Sequence, residues 1–167
     1  MIVSCTFIAD AMLGTLAKWL RILGYDTLFD PALDDHQLVR LARSQDRVLL
    51  TRDRALARRR GVRVLLVASQ KLDEQIAQVL ADLDLASDRT FSRCPVCNEP
   101  LLEMDREAAR SRVPAYVART HERFRACPGC QRVYWRGTHW QRMENKVSAL
   151  RNSGGRSEAG SVSEQKT

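Results

Sequence analysis

Two sets of side chains in this chain have the types and spacing for metal chemistry. The first is acidic. Asp10 closes the apolar run 2–9, Asp35 opens the segment after Thr27-Leu28-Phe29, and Asp53 follows Val48-Leu49-Leu50-Thr51-Arg52. Carboxylates brought together repel, and they stay ionised around a cation. Oxygen-only donors suit a hard ion that keeps several waters, Mg²⁺ or Mn²⁺. Such an ion activates water and neutralises charge that develops on a phosphodiester. Each acid also has a plainer use. Asp34, Asp35 and Asp53 stand where helix N-caps belong. Asp10 is harder to account for in that way, because a half-buried, unpaired carboxylate ending a hydrophobic strand is costly. Thr51 is a good β-former, and its hydroxyl is also placed to hold Asp53 or a water on the ion.

The second set is thiol. Cys94-x2-Cys97 and Cys127-x2-Cys130 form two paired knuckles, with Pro95 and Pro128-Gly129 supplying tight turns. Four thiolates suit tetrahedral Zn²⁺, and closed four-cysteine sites are structural. The 29 residues between the pairs exceed ordinary ribbon spacing and predict an inserted loop or helix. A thioredoxin-like redox role fits less well, since neither pair opens a helix after a core strand. Cys5 lies inside the first apolar run and reads as a small core residue.

The elements that must position these groups alternate. Residues 2–9 read as a buried strand. Residues 11–23 carry Leu13, Leu16, Ala17, Leu20 and Leu23 at helical spacing, and Gly24 fits the stop. Thr27–Phe29 is a short second strand. A helix follows from Asp34/Asp35 with Leu38, Leu41 and Ala42 on its buried face. Val48–Thr51 is the third strand, Asp53–Arg60 a short basic helix, and Val62–Val67 the fourth strand. Leu72, Ile76, Leu80 and Leu83 mark a fourth helix. Strands alternating with helices imply a mostly parallel sheet with right-handed crossovers. In such a sheet Asp10, Asp35 and Asp53 all fall on the carboxyl edge, where ligands bind. The periodicity fades after about residue 88. The expected organisation is therefore an α/β domain at 1–88, a zinc ribbon with a basic insert at 89–146, and a flexible tail at 147–167 that is small and polar from Asn152 onward.

With 167 residues, 44% hydrophobic and a net charge of +7, the chain is globular and basic. That balance favours a polyanionic partner, nucleic acid before membrane; a solvated basic surface is the plainer reading. No apolar run approaches the ~18 residues of a membrane span. The opening Met1-Ile2-Val3-Ser4-Cys5 lacks the marks of a signal peptide. A reducing, cytoplasmic compartment is the expectation, with thiols as metal ligands rather than disulfides. Candidate nucleic-acid contacts are Lys18 and Arg21 on the first helix, Arg52, Arg54 and Arg58 around the third, and Trp135, Arg136, His139 and Trp140 in the ribbon. Arg106, Arg110, Arg112, Arg119, Arg123 and Arg125 make the insert basic. Aromatics interleaved with arginines suit base stacking and phosphate contact. Tyr134 and Trp135 serve equally well as the ribbon's small core.

Asp10, then Asp35 followed seven residues later by Ala42, then Leu50-Thr51-Arg52-Asp53, resembles the PIN-domain ribonucleases. The string from Phe7 to Asp26, Phe-Ile-Ala-Asp-Ala-Met-Leu-Gly-Thr-Leu-Ala-Lys-Trp-Leu-Arg-Ile-Leu-Gly-Tyr-Asp, is closer to one branch. That branch is the Mut-seven C-terminal RNase domain, a PIN-like module fused to a zinc ribbon, and the resemblance spans roughly residues 2–146. It implies a PIN-like fold and a metal-dependent endoribonuclease with Asp10, Asp35 and Asp53 as its acidic set. One departure stands out. Many PIN domains carry a further acid on a helix between the first two positions. Here 24 residues separate Asp10 from Asp35, and Asp30 or Asp34 is left to take that place. The rival reading is a non-catalytic RNA-binding protein, ribosome- or tRNA-associated. A receiver-like domain would need a paired acid beside the first strand and a lysine after a fifth, and neither is found.

Overall fold

The computed structural model describes residues 5–85 and 89–154. Its first half is the expected parallel sheet, in the order β2-β1-β3-β4. The strands are β1 (Phe7–Ala9), β2 (Thr27–Phe29), β3 (Val48–Thr51) and β4 (Val64–Leu66). Strand β1 lies in the middle, with Phe7 opposite both Thr27 and Val48. Because successive strand residues face opposite ways, each strand feeds two cores. Phe7, Ala9, Val48 and Leu50 join Leu16, Leu20, Ile76 and Val79 on one face. Ile8 and Leu49 join Leu38, Val39, Ala42 and Leu56 on the other. A sheet covered on both faces explains why these strands read as continuous apolar runs rather than alternating ones.

Four helices provide the cover: α1 (Gly14–Ile22), α2 (Asp35–Ser44), α3 (Arg54–Ala57) and α4 (Leu72–Asp82). The expected first helix is split. Ala11–Leu13 form a 3-10 turn, because the Asp10 side chain accepts from the Met12 amide and the Leu13 amide bonds the Asp10 carbonyl. The expected helix over 53–60 is shortened. Arg58 and Arg59 bond back only three residues, and Gly61 turns left-handed at φ +70°. Shorter-range bonds tighten and end a helix in this way.

The second half is an antiparallel sheet in the order β5-β6-β7, made of β5 (Leu102–Met104), β6 (Phe124–Ala126) and β7 (Val133–Trp135). The insert expected between the knuckles contains β5, α5 (Arg106–Ala109), α6 (Ala115–Thr120) and β6. Its small core is Ala109, Val117 and Phe124, against which Trp135 packs. The chain then returns. Helix α7 (Thr138–Gly154) runs back along α4, and Val147 is buried in the core of the first lobe. The flexible tail expected from 147 is thus helical as far as Gly154; residues 155–167 lie outside the described residues.

The two lobes are joined by polar as well as apolar contacts. Ile22 and Phe91 meet Trp140, and the Phe91 amide bonds the Ile22 carbonyl at 2.6 Å. Gly24 sits at φ +94°, and a Cβ there would lie 2.3 Å from the Arg89 carbonyl oxygen. Only glycine permits both the backbone angle and that approach.

Candidate metal centres at the sheet edge and in the ribbon

The acidic edge starts from the strand order. Chain connections leave β1 towards β2 on one side and cross to β3 on the other, so the crevice between β1 and β3 is the switch point of the sheet. Asp10 and Thr51 face each other across it. Asp10 is 6% exposed and Thr51 fully buried. The Thr51 hydroxyl donates to Asp10 Oδ2 and accepts from the Asp53 amide at 2.9 Å. Asp10 Oδ1 accepts from the Met12 amide at 2.9 Å, and Oδ2 receives a longer bond of 3.3 Å from the Arg52 amide. Thr51 therefore couples two of the acids: it orients the Asp10 carboxylate and fixes the backbone that carries Asp53.

Asp53 is exposed and caps α3, with Oδ1 accepting from Ala55 at 2.6 Å and Leu56 at 3.2 Å. Asp35 is exposed in the first turn of α2, after the strand on the far side of β1. Asp34 is occupied as the N-cap. It accepts from the Gln37 amide at 2.8 Å while the Gln37 side-chain oxygen accepts from the Asp34 amide at 2.9 Å, a complete capping box. Asp30 Oδ1 holds the Ala32 amide of the next turn. Both use only Oδ1 in these bonds, as Asp53 does in its own cap. Among the described residues Asp10, Asp35 and Asp53 make no ion pair. Nor do they converge as the thiols do, for the cysteine cluster is the one group of three or more metal-binding side chains within 4.8 Å of one another there. The donor chemistry fits a hard ion.

The thiol set is closed. Sγ atoms of Cys94, Cys97, Cys127 and Cys130 all lie within 4.8 Å of one another. The Cys94–Cys130 and Cys97–Cys127 sulfur separations are 3.6 and 3.1 Å. A tetrahedron with Zn–S of about 2.3 Å has edges of about 3.8 Å, so the cluster is dimensioned for zinc. The two knuckles repeat one local structure. Cys94 bonds the Glu99 carbonyl and Cys127 the Arg132 carbonyl, at 2.8 and 2.9 Å. Asn98 and Gln131, the residues after each second cysteine, are left-handed at φ 69° and 61°. The thiols are split: a hydrogen bond with the Arg132 backbone lowers Cys130 to about 6, while burial pushes Cys127 up to about 12. Tyr134, read from sequence as a base-stacking or ribbon-core residue, approaches Cys94 Sγ through its hydroxyl at 3.1 Å. Burial, and then that contact, push its own pKa upward.

Several expected RNA contacts prove to be structural. Arg21 is 6% exposed. Its Nε donates to the Thr27 carbonyl at 2.9 Å, and Nη1 donates to Pro95 and Val96 in the first knuckle at 3.2 and 2.9 Å. It clamps the ribbon to α1 and does not face solvent. Trp140 is buried and stacks on Phe91 with ring centroids 3.6 Å apart. Trp135 lies against the ribbon core. Lys18, Arg54, Arg58, Arg136 and His139 are at least partly exposed. Arg136 rests over Trp140 at 5.3 Å and approaches Glu144 at 3.7 Å. Arg52 is partly buried beside the acids, with Nε enclosed and lacking a partner.

Sequence reasoning missed a junction next to the clamp. Asp26 accepts from Arg47 at 2.7 and 3.2 Å and from Asn98 Nδ2 at 2.8 Å. Asn98 Oδ1 in turn accepts from the Thr27 amide at 3.0 Å. Burial opposes ionisation of Asp26, but the Arg47 and Asn98 hydrogen bonds and the charges of Arg47 and Arg93 hold its carboxyl below its ordinary value. The only signal in sequence is an aspartate just before a strand, which is not distinctive.

No helix among the described residues is long and apolar enough to cross a membrane. No curated protein and no solved structure matches the chain. One family does: the sheet order, the acids at its carboxyl edge and the four-cysteine ribbon coincide with a sequence match over residues 5–147, and the chain belongs to the Mut7-C RNAse domain family.

Proposed function

We propose that the protein is a metal-dependent endoribonuclease whose acidic edge holds Mg²⁺ or Mn²⁺ through Asp10, Asp35 and Asp53. The observation that carries this reading is Asp10. It is a nearly buried carboxylate at the switch point of the sheet, with no cationic side chain paired to it among the described residues. A charge in that position calls for a counter-ion. When bound, a hard divalent ion supplies an activated water and a counter-charge for the phosphodiester. The chain does the rest. Thr51 and the Met12 amide fix both oxygens of Asp10. Asp53 keeps its second oxygen clear of the helix cap, and Asp35 approaches from the other side of β1. Arg52, partly exposed beside Asp53, would hold a phosphate oxygen. Lys18, Arg54 and Arg58 steer the polyanion. The ribbon assists binding through Arg136 and His139.

The separation of the three acids favours one alternative, a non-catalytic RNA-binding protein associated with the ribosome or tRNA. The two readings part in a cleavage assay on labelled structured RNAs with Mn²⁺ or Mg²⁺, comparing wild type with Asp10→Asn and Asp53→Asn. Metal-dependent cutting that disappears in both folded variants supports the nuclease. RNA binding unchanged in all three proteins, without cutting, supports the alternative. Cutting that persists in the variants rejects the acidic site.

A further inference from the structure

The arginines of the two lobes are in different states. In the ribbon most are in use. Arg106 donates to the Ala118 and Arg119 carbonyls, Arg112 to Gln131, and Arg125 to Phe91. Arg110 lies 3.6 Å from Glu107. The groove formed there by α5 and α6 sets Arg106, Arg110 and Arg119 against Asp105 and Glu107.

A second groove, of about 450 Å³, lies between α2 and the turn after α3. Asp35, His36, Arg40, Arg43 and Ser44 line it from α2, and Arg59 lines it from the turn. On α2 the positions 36, 40, 43 and 44 follow helical spacing, so they form one stripe about 12 Å long. Arg43 fastens the opposite wall. Its Nε donates to the Gly61 carbonyl at 3.0 Å and its Nη2 to the Arg60 carbonyl. Gly61 is left-handed, and a Cβ there would lie 3.3 Å from that guanidinium. The turn is thereby held with Arg59 across from Arg40. Arg40 and Arg59 themselves make no ion pair or side-chain hydrogen bond among the described residues. The only carboxylate in the groove is Asp35, a member of the acidic set.

We propose that this groove is the track along which the RNA backbone reaches the acidic edge, with Arg40 and Arg59 as its phosphate contacts. The inference rests on the reading of the protein as RNA-directed, and it extends the binding face to α2 and the turn after α3. Guanidiniums with open donors in a concave, cation-rich site are suited to phosphate oxygens. Arg43, already committed to the turn, acts as a positioning residue. Asp35 at the end of the groove marks where the bound strand meets the proposed metal.

The test is binding of a fluorescently labelled RNA to the full chain carrying Asp10→Asn, over a series of salt concentrations. Wild type without added Mg²⁺ or Mn²⁺ provides a second background. Arg40→Gln/Arg59→Gln is compared with Arg110→Gln/Arg119→Gln, whose side chains line the ribbon groove. The α2 pair is expected to weaken binding at least about tenfold. It should also flatten the slope of log K against log salt by about 1.4, the value for two single-strand phosphate contacts. The ribbon pair should stay within about twofold. Equal losses in both pairs, an unchanged salt slope, or no RNA binding even at low salt would each overturn the track. Because the readout is binding, an inactive wild type leaves the track standing while rejecting the nuclease. A wild type that cleaves, beside an Arg40→Gln/Arg59→Gln variant with unaltered binding and KM, rejects the track and leaves the nuclease.

Discussion

At the ribbon, four sulfur atoms lie within 4.8 Å of one another; at the sheet edge, three carboxylates stand at three strand ends without closing to that distance. The difference follows from how each donor is held. Every cysteine belongs to a knuckle whose own backbone sets its geometry, through the Cys94–Glu99 and Cys127–Arg132 bonds and the left-handed Asn98 and Gln131. The acids depend on the sheet. Asp10 and Asp53 are joined through one hydroxyl, Thr51, and Asp35 arrives on a separate helix. A structural site is closed by its protein ligands, whereas a catalytic site leaves positions for water and substrate. The ribbon cluster has the first form; the proposed function assigns the acidic edge the second.

That comparison can be broken or sharpened. The largest effect belongs to the closed site. Wild type is expected to carry one zinc ion per chain and Cys127→Ser to lose it, with Tm lower by more than about 10 °C, since structural zinc contributes on the order of 10 kcal/mol to such folds. Elemental analysis alongside a thermal melt checks it. Equal melting with and without zinc would show that the thiols are not a structural centre.

Asp10→Asn should do the reverse. Cleavage should fall by at least about 100-fold, in the range seen when a preorganised charge is removed from an active site, while Tm stays within a few degrees. Single-turnover rates paired with melts decide this; a Tm drop as large as that of Cys127→Ser would make Asp10 a folding residue.

Between the two centres lies the Arg21 clamp. Arg21→Gln removes charged donors from three carbonyls and should cost about 2–4 kcal/mol in urea unfolding. Unchanged stability would mean that the lobes do not depend on the clamp. The smallest effect concerns Asp26. Its carboxyl titrates below the ordinary value in the folded chain, so its stabilisation is complete above the unfolded value of about 4 and is lost as pH falls through the folded one. Asp26→Asn should therefore cost about 1–2 kcal/mol at pH 7, with the gap to wild type closing below about pH 4. A gap that widens on acidification would contradict the assigned ionisation.

The parallel sheet was legible because each strand is a short apolar run ending in a turn signal. The cysteine knuckles were legible because their geometry is local and their spacing repeats. The acids could be listed from sequence, but the Thr51 bridge between Asp10 and Asp53 depends on the β1–β3 register. The errors came from reading charge and aromaticity as exposure. Arg21 and Trp140 are buried because α1 and α7 meet the ribbon, and such a contact leaves no periodic trace in either segment. Helix α7 was mistaken in part for tail for the same reason: beyond residue 146 only Val147 and Leu150 reach the core from a largely polar stretch. The free charge of Arg40 and Arg59 emerges only when the partners of the other arginines are known.

The return of α7 to the first lobe bears on the order in which the protein is made. Val147 completes a core that otherwise ends with α4. During translation the α/β lobe is thus left with an open flank until the ribbon has emerged. At roughly 5–20 residues per second, the segment from 89 to 154 takes about 3–13 seconds to follow. The acidic edge would then mature only after the zinc knuckles have been synthesised. A chain ending at Leu85 is expected to aggregate or to melt at a much lower temperature than the whole. If the fragment folded as stably as the full chain, the timing would not matter.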